Sequence, residues 1–218
     1  MASELLRLLE VMDQLRSPGG CPWDAEQTHQ SLIKYLLEES YEFIDSVDSE
    51  DRLAMREELG DILLQVYFHA RIAEEHATDP FTIEDVARGI ADKLVRRHPH
   101  VFGDAKADSS AEVLQNWEKL KASEKNRNSA TDGIALSQPA LPLITKLIYR
   151  AEKNGIDLSG KLGLPTAEVN NDVPVEVAIS DALVAAVVAA IKQGIEPEDL
   201  LRARAREISD EIKRIESL

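Results

Sequence analysis

The chain has one cysteine, Cys21, in 218 residues. A single thiol cannot form an internal disulfide, so the cytosol is the expected compartment. Basic residues are scarce beside acids, 25 against 40, and the net charge is −15. A charge of that sign argues against a nucleic-acid backbone as partner. It would also repel a nucleotide, unless metal ions or a local basic patch reverse the field at one site. No apolar run approaches the ~20 residues of a membrane span. The most apolar stretch, AISDALVAAVVAAI, is short and contains Asp181. The opening MASELLRLLEVMDQLR lacks the basic, apolar and small-residue regions of a secretory signal, so no leader is expected. No GxxxxGK[ST] phosphate loop is present. Strand-like alternation is missing apart from a few residues near Val173.

What is present is helical periodicity. Hydrophobic residues make up 44% and charged residues 30%, as in a soluble globular protein. Leu5, Leu8, Leu9, Met12 and Leu15 share one helical face. SPGGCPWD breaks that helix, and Asp24 with Gln27 resembles a capping box opening the next, which runs to about Val47. After the polar turn DSED, a third helix carries the stripe Leu59, Ile62, Leu63, Val66, Ala70 and Ala73. A fourth starts near Thr82 and ends before HPHVFG, and SAEVLQNWEKLKASEK forms a further one. The polar residues 126–138 read as a linker between domains at 1–125 and 139–218. Beyond them come PLITKLIYRAEKNG, an Ala/Val-rich helix at about 176–193, and a last helix with Pro197 in its first turn. The expected fold is all-α, a helical bundle followed by a smaller helical C-terminal unit.

The segment LLEESYEFIDSVDSEDRLAMREELGDILLQV presses acids into apolar surroundings. Glu39 and Glu42 lie three apart, as do Glu58 and Asp61, so each pair shares a helix face. A tight turn near Ser49 makes the two helices antiparallel. By the helical rise, Glu42 and Glu58 lie ~10 and ~14 Å from that turn, and Glu39 and Asp61 ~15 and ~18 Å from it. Four carboxylates therefore converge between two packed helices. Without a counter-charge the arrangement is unfavourable. An acidic run is ordinarily a solvated helix face. Here the paired spacing, the tight turn and the flanking apolar stripes favour a divalent cation, and all-oxygen ligands suit Mg2+ or Mn2+ rather than Zn2+.

EESYE followed by EELGD resembles the EExxE…ExxD signature of the MazG-like nucleoside triphosphate pyrophosphohydrolases. GCPWDAEQTHQSL, LLEESYE, REELGDILLQVYFHA, KLVRRHPHVFGD and VLQNWEKLK agree with that family, and together they cover residues 1 to about 125. The resemblance implies an all-α bundle that forms a homodimer and cleaves nucleoside triphosphates to the monophosphate and pyrophosphate with Mg2+. It also implies Glu39, Glu42, Glu58 and Asp61 as metal ligands. Glu38 or a metal-bound carboxylate, such as Glu39 or Glu42, would take the proton from the attacking water.

Lys93, Arg96 and Arg97 form a basic patch in an acidic chain. Such cations suit either a triphosphate or an ordinary helix end. The resemblance favours phosphate contacts at Lys93 and Arg97. Trp117 and Lys121 repeat the four-residue spacing. A tryptophan here suits the core, whereas the resemblance gives both residues a part in holding the nucleotide. Trp23 is read as an anchor for the helix entry. Cys21 has no basic partner nearby in sequence and is not read as a nucleophile. His98 and His100 lack further His or Cys ligands at metal spacing, so a loop-positioning role is expected.

The C-terminal half resembles a degenerate second copy. ELGDILLQVYFHARIA aligns with AISDALVAAVVAAIKQ, and TIEDVARGIADKL with IEPEDLLRARAREI. In that register Asp61 meets Asp181, but Glu58 meets Ala178 and Lys93 meets Glu207. One carboxylate cannot hold the metal, so packing or dimer support is expected there rather than catalysis. Three functions remain in competition: a broad-specificity house-cleaning or regulatory pyrophosphohydrolase, a selective one, and a helical interaction protein with a vestigial metal site.

Overall fold

In the computed structural model the described residues are 3–107, 109–124, 129–158 and 174–216. Among them are ten α-helices and no strand. The residues near Val173 lie outside this set. The chain divides into two compact units, Met1–Trp117 and Glu118–Leu218, with the division falling inside a helix rather than in the polar stretch 126–138.

The first unit contains α1 (Glu4–Arg16), α2 (Pro22–Glu26), α3 (His29–Asp48), α4 (Arg52–Ala73), α5 (Ile83–Arg97), α6 (Pro99–Phe102) and the start of α7 (Ser110–Glu124). Side-chain oxygens satisfy the first N–H groups of the long helices. Ser3 caps α1 and Asp51 caps α4. Thr28 with Ser31, and Thr82 with Asp85, form reciprocal capping boxes on α3 and α5. The expected box at Asp24 and Gln27 does not form. Pro22 pre-sets the helical φ and starts the short α2 with Asp24 inside it, and Gln27 and Thr28 then return to extended backbone. Thr28, not Asp24, is left to cap the long helix.

The break before α2 depends on close backbone approach. A Cβ on Gly20 would sit 2.2 Å from the Gln14 carbonyl oxygen. Only glycine lets the chain fold back so that Cys21 N–H donates to Leu15 C=O at 2.7 Å. Arg16 then pins the returning chain. Its side chain is 7% exposed, forks onto both Glu75 oxygens, and donates to the carbonyls of Asp24 and Gln27.

Helices α3 and α4 are the most extensively packed pair, and α4 also packs on α1 and α5. Met12, Leu32, Tyr67 and Phe68 form the buried centre, with Leu8, Leu9, Leu15, Leu63, Leu64, Ile72 and Ile83 around it. Each fully buried side chain among them, such as Met12 and Leu32, contributes about 1.5–3 kcal/mol. The α3–α4 link is only Ser49–Asp51. There Glu50 N–H donates to Val47 C=O and Asp51 N–H to Ser46 C=O, with Glu50 at φ 56°. This is a Schellman closure with a non-glycine residue in the left-handed position.

The second unit holds α8 (Ala140–Lys153), α9 (Val175–Lys192) and α10 (Pro197–Glu216). Helix α8 packs on both α9 and α10, and Pro197 begins α10 as expected. Helix α9 is apolar through most of its length, yet only Val187 is buried among its described residues.

Candidate metal and nucleotide site

The short link makes α3 and α4 antiparallel neighbours, and their facing sides carry the acids. One carboxylate oxygen each from Glu39, Glu58 and Asp61 lies within 4.8 Å of the others. All three residues are half-buried. Glu42, one turn from Glu39, is more exposed and lies beside Glu58. Glu38 is exposed on the neighbouring flank of α3 and adds its charge to the field at Glu39.

The electrostatics are those of crowded like charges. Desolvation pushes the Glu39 carboxyl above its ordinary range, and the charges of Asp61, Glu42, Glu58 and Glu38 push it further. Glu58 is raised first by desolvation, then by Glu42, Asp61 and Glu57, and by a hydrogen bond with the Glu42 carboxyl. Glu58 Oε2 is buried with no hydrogen-bond partner. A buried anionic oxygen without a donor is costly. A hard divalent cation with oxygen ligands removes that cost, so the donor set fits such an ion. Glu39, Glu58 and Asp61 would hold it, with Glu42 at the edge.

The expected nucleotide contacts lie on α5 and α7. Lys93 is half-buried. Arg97 is 6% exposed and lays its guanidinium over the Trp117 ring, 5.4 Å from the centroid. Structure therefore joins two residues that sequence spacing treated as separate pairs. Lys121 is half-buried and falls in the second unit. His98 Nδ1 bonds to the Leu94 carbonyl at 2.7 Å, and its ring tilts against His100. Trp23 packs edge-on against Tyr35 with ring centroids 5.9 Å apart.

Residues 27–102 match the MazG nucleotide pyrophosphohydrolase domain. Over 222 aligned residues the chain is 39% identical to the nucleoside triphosphate pyrophosphohydrolase/pyrophosphatase MazG of Thermotoga maritima, covering 97% of this chain and 85% of that protein. The chain belongs to the MazG family. The domain match spans α3 to α6, and so includes all four expected metal ligands together with Lys93 and Arg97, but not Trp117 or Lys121. An uncharacterized 26.1 kDa protein from the blaB 3′ region of Streptomyces cacaoi is 44% identical, covering 98% of this chain and 83% of its own length. The nucleoside triphosphate pyrophosphohydrolase of Escherichia coli K12 is 45% identical over 71% of this chain, which spans 60% of that longer protein.

Among the described residues of the second unit, Asp181 is half-buried on α9, Ala178, the residue aligned with Glu58, is exposed, and Glu207 pairs with Arg204. Among the described residues, Glu39, Glu58 and Asp61 form the one cluster with metal-ligand geometry.

Two features on the α3–α4 seam were missed from sequence. Gln65 is 5% exposed, and its Oε1 has no partner. His29 and His69 face each other, Nδ1 to Nδ1, at 2.7 Å. Burial, then the His29 charge, hold the His69 pKa down. The available signal was polar residues at helical spacing from Asp61, inside the apolar run ILLQVYFHA.

Proposed function

We propose that this MazG-family chain hydrolyses nucleoside and deoxynucleoside triphosphates to the monophosphate and pyrophosphate, with broad base specificity. Glu39, Glu42, Glu58 and Asp61 hold a divalent cation, Mg2+ or Mn2+. The observation that carries this reading is the convergence of three half-buried carboxylates from two helices, one of which, Glu58, keeps an oxygen that no protein group satisfies. A bound divalent cation supplies charge neutralisation for the phosphates and stabilises the charge that develops as the anhydride breaks.

The chain's own groups do the rest. Glu38, exposed beside Glu39, takes a proton from water approaching the phosphorus; Glu39 or Glu42 is the alternative base. Lys93 and Arg97 bind the phosphates, which makes a net charge of −15 tolerable at this site. Trp117 holds the Arg97 plane through its ring and, with Lys121, helps bind the nucleotide. The second unit has no metal role and supports packing. The protein acts in the cytoplasm, with no nucleic-acid or membrane partner; among the described residues no helix is long and apolar enough to cross a membrane.

The active form is a homodimer. Ile33, Leu37 and Tyr41 form one apolar stripe on α3, each 50–52% exposed, and Val86, Ile90 and Leu94 form another on α5 at 38–46%. Stripes of this kind suit burial by a second copy.

The decisive measurement is pyrophosphate release from a panel of NTPs and dNTPs with Mg2+, comparing wild type with Glu42→Gln. Turnover of many nucleotides, lost in the variant, is expected. Activity confined to one nucleotide would support a selective enzyme instead. Absence of turnover with intact metal binding would leave a helical interaction protein.

A further inference from the structure

The polar seam between α3 and α4 extends beyond the carboxylates. Glu58, Asp61, Gln65 and His69 recur on α4 at intervals of three, four and four residues, which places them along one helix face. Both ends of that stripe meet α3. Glu58 and Asp61 converge on Glu39, and His69 faces His29 with the two rings within 2° of parallel. Gln65 lies between these contacts in height and in angle, so it faces α3 as well. It sits ~6 Å along the axis from Asp61, on the side away from the Ser49–Asp51 turn.

Leu32, Tyr35 and Leu36 of α3 flank that height, and none of them donates to the Gln65 amide oxygen. The Gln65 amide oxygen is accordingly buried and unpaired. A Met or Leu of similar volume would fill the space without leaving an acceptor unsatisfied. Glu58 Oε2, the other orphaned acceptor on this face, is accounted for by the cation. Gln65 lies about one helical turn, ~6 Å along the axis, from Asp61. Leu36, Glu39, Asp61 and Ile62, the neighbours toward the carboxylates, are only half-buried.

We propose that Gln65 Oε1 accepts a hydrogen bond from a hydroxyl or amino group on the nucleoside moiety of the substrate, and so determines which nucleotides are hydrolysed fastest. This rests on the pyrophosphohydrolase reading above. With the phosphates held at the carboxylates and at Lys93 and Arg97, the nucleoside extends one helical turn along the seam and meets the amide. Sugar hydroxyls and exocyclic amino groups are the donors a nucleoside offers.

The test uses the full chain with Gln65→Met, and Gln65→Leu as a second apolar variant in case the first does not fold. Melting temperature, Mn2+ binding, kcat and KM are measured with ATP, CTP, UTP, dATP and 2′,3′-dideoxy-ATP. The expected result is an equal or higher melting temperature, unchanged Mn2+ binding, and a selective fall in kcat/KM of about tenfold, the worth of one hydrogen bond. A fall for ATP but not for the dideoxy compound identifies a sugar hydroxyl, the 3′ one if dATP falls too and the 2′ one if it does not. A fall for ATP and CTP but not for UTP identifies a base amino group. Unchanged kcat/KM on every nucleotide, or the same fall on all of them, overturns the inference while leaving the hydrolase reading intact. A wild-type protein inert toward every nucleotide removes that reading, and this inference with it.

Discussion

Arg97 closes α5 by stacking its guanidinium on Trp117 of α7, 5.4 Å from the ring centroid, with only 6% of the residue exposed. A planar cation on an indole face contributes about 0.5–2 kcal/mol, and lysine does not reproduce the geometry. Arg97→Lys is therefore expected to lower the melting temperature and raise KM for nucleoside triphosphates several-fold. Trp117→Phe retains an aromatic face and should do less of both. Thermal melts with steady-state kinetics check the pair. Equal effects from the two variants would count against the stacked arrangement.

The carboxylate cluster predicts opposite responses in the presence and absence of metal. Glu58→Gln removes one charge from a crowded group and should raise the melting temperature of metal-free protein. The same change should abolish the stabilisation by Mg2+ or Mn2+ expected of wild type, since an ion that binds only the folded state shifts its melting. Turnover should fall by more than ~100-fold, the upper end for groups that merely orient metal ligands. Melts with and without Mn2+, on one preparation, read both effects.

A pH dependence follows from Glu39 and Glu58. Both hold their protons more tightly in the folded protein than in the unfolded chain. The folded state thus binds more protons in the window between the unfolded value, about 4.3, and the raised folded values. In that window metal-free stability falls as pH rises. Metal must displace these protons, so its apparent affinity rises with pH over the same range. Glu75, Asp85 and Glu211 are shifted downward and contribute with the opposite sign. The relevant quantity is therefore the difference between wild type and Glu39→Gln, followed by Mn2+ titrations and melts between about pH 4 and pH 8. A difference that is flat with pH would contradict the crowding.

Glu50 occupies the left-handed position of the α3–α4 link at φ 56°. A residue with a Cβ costs about 1–2 kcal/mol there relative to glycine, less the extra freedom glycine carries in the unfolded chain. Glu50→Gly should stabilise the protein by about 0.5–1 kcal/mol, measured by urea unfolding. Loss of stability would mean that the Glu50 side chain makes a compensating contact.

Much of this protein is written locally in its sequence. Helical spacing at Leu5, Leu8, Leu9 and Met12, and again from Leu59 to Ala73, marks the all-α fold, although Leu5, Leu59 and Val66 stay exposed and Tyr67 and Phe68 fill the core of α4 instead. The meeting of Glu39, Glu58 and Asp61 is also legible, since helix rise and a three-residue link are local quantities. The family is legible for the same reason: EESYE and EELGD are short motifs on consecutive helices. Tertiary packing decided the rest. Asp24 yielded the α3 cap to Thr28 once Pro22 had started a separate short helix. Arg97 met Trp117, and His29 met His69, through contacts between residues distant in the chain, which no spacing rule encodes. Gln65 reads as an ordinary polar residue on α4 until packing buries it and leaves its amide oxygen without a donor. Local spacing determines which face a side chain occupies, but only the packed neighbour determines whether its polar atoms are satisfied.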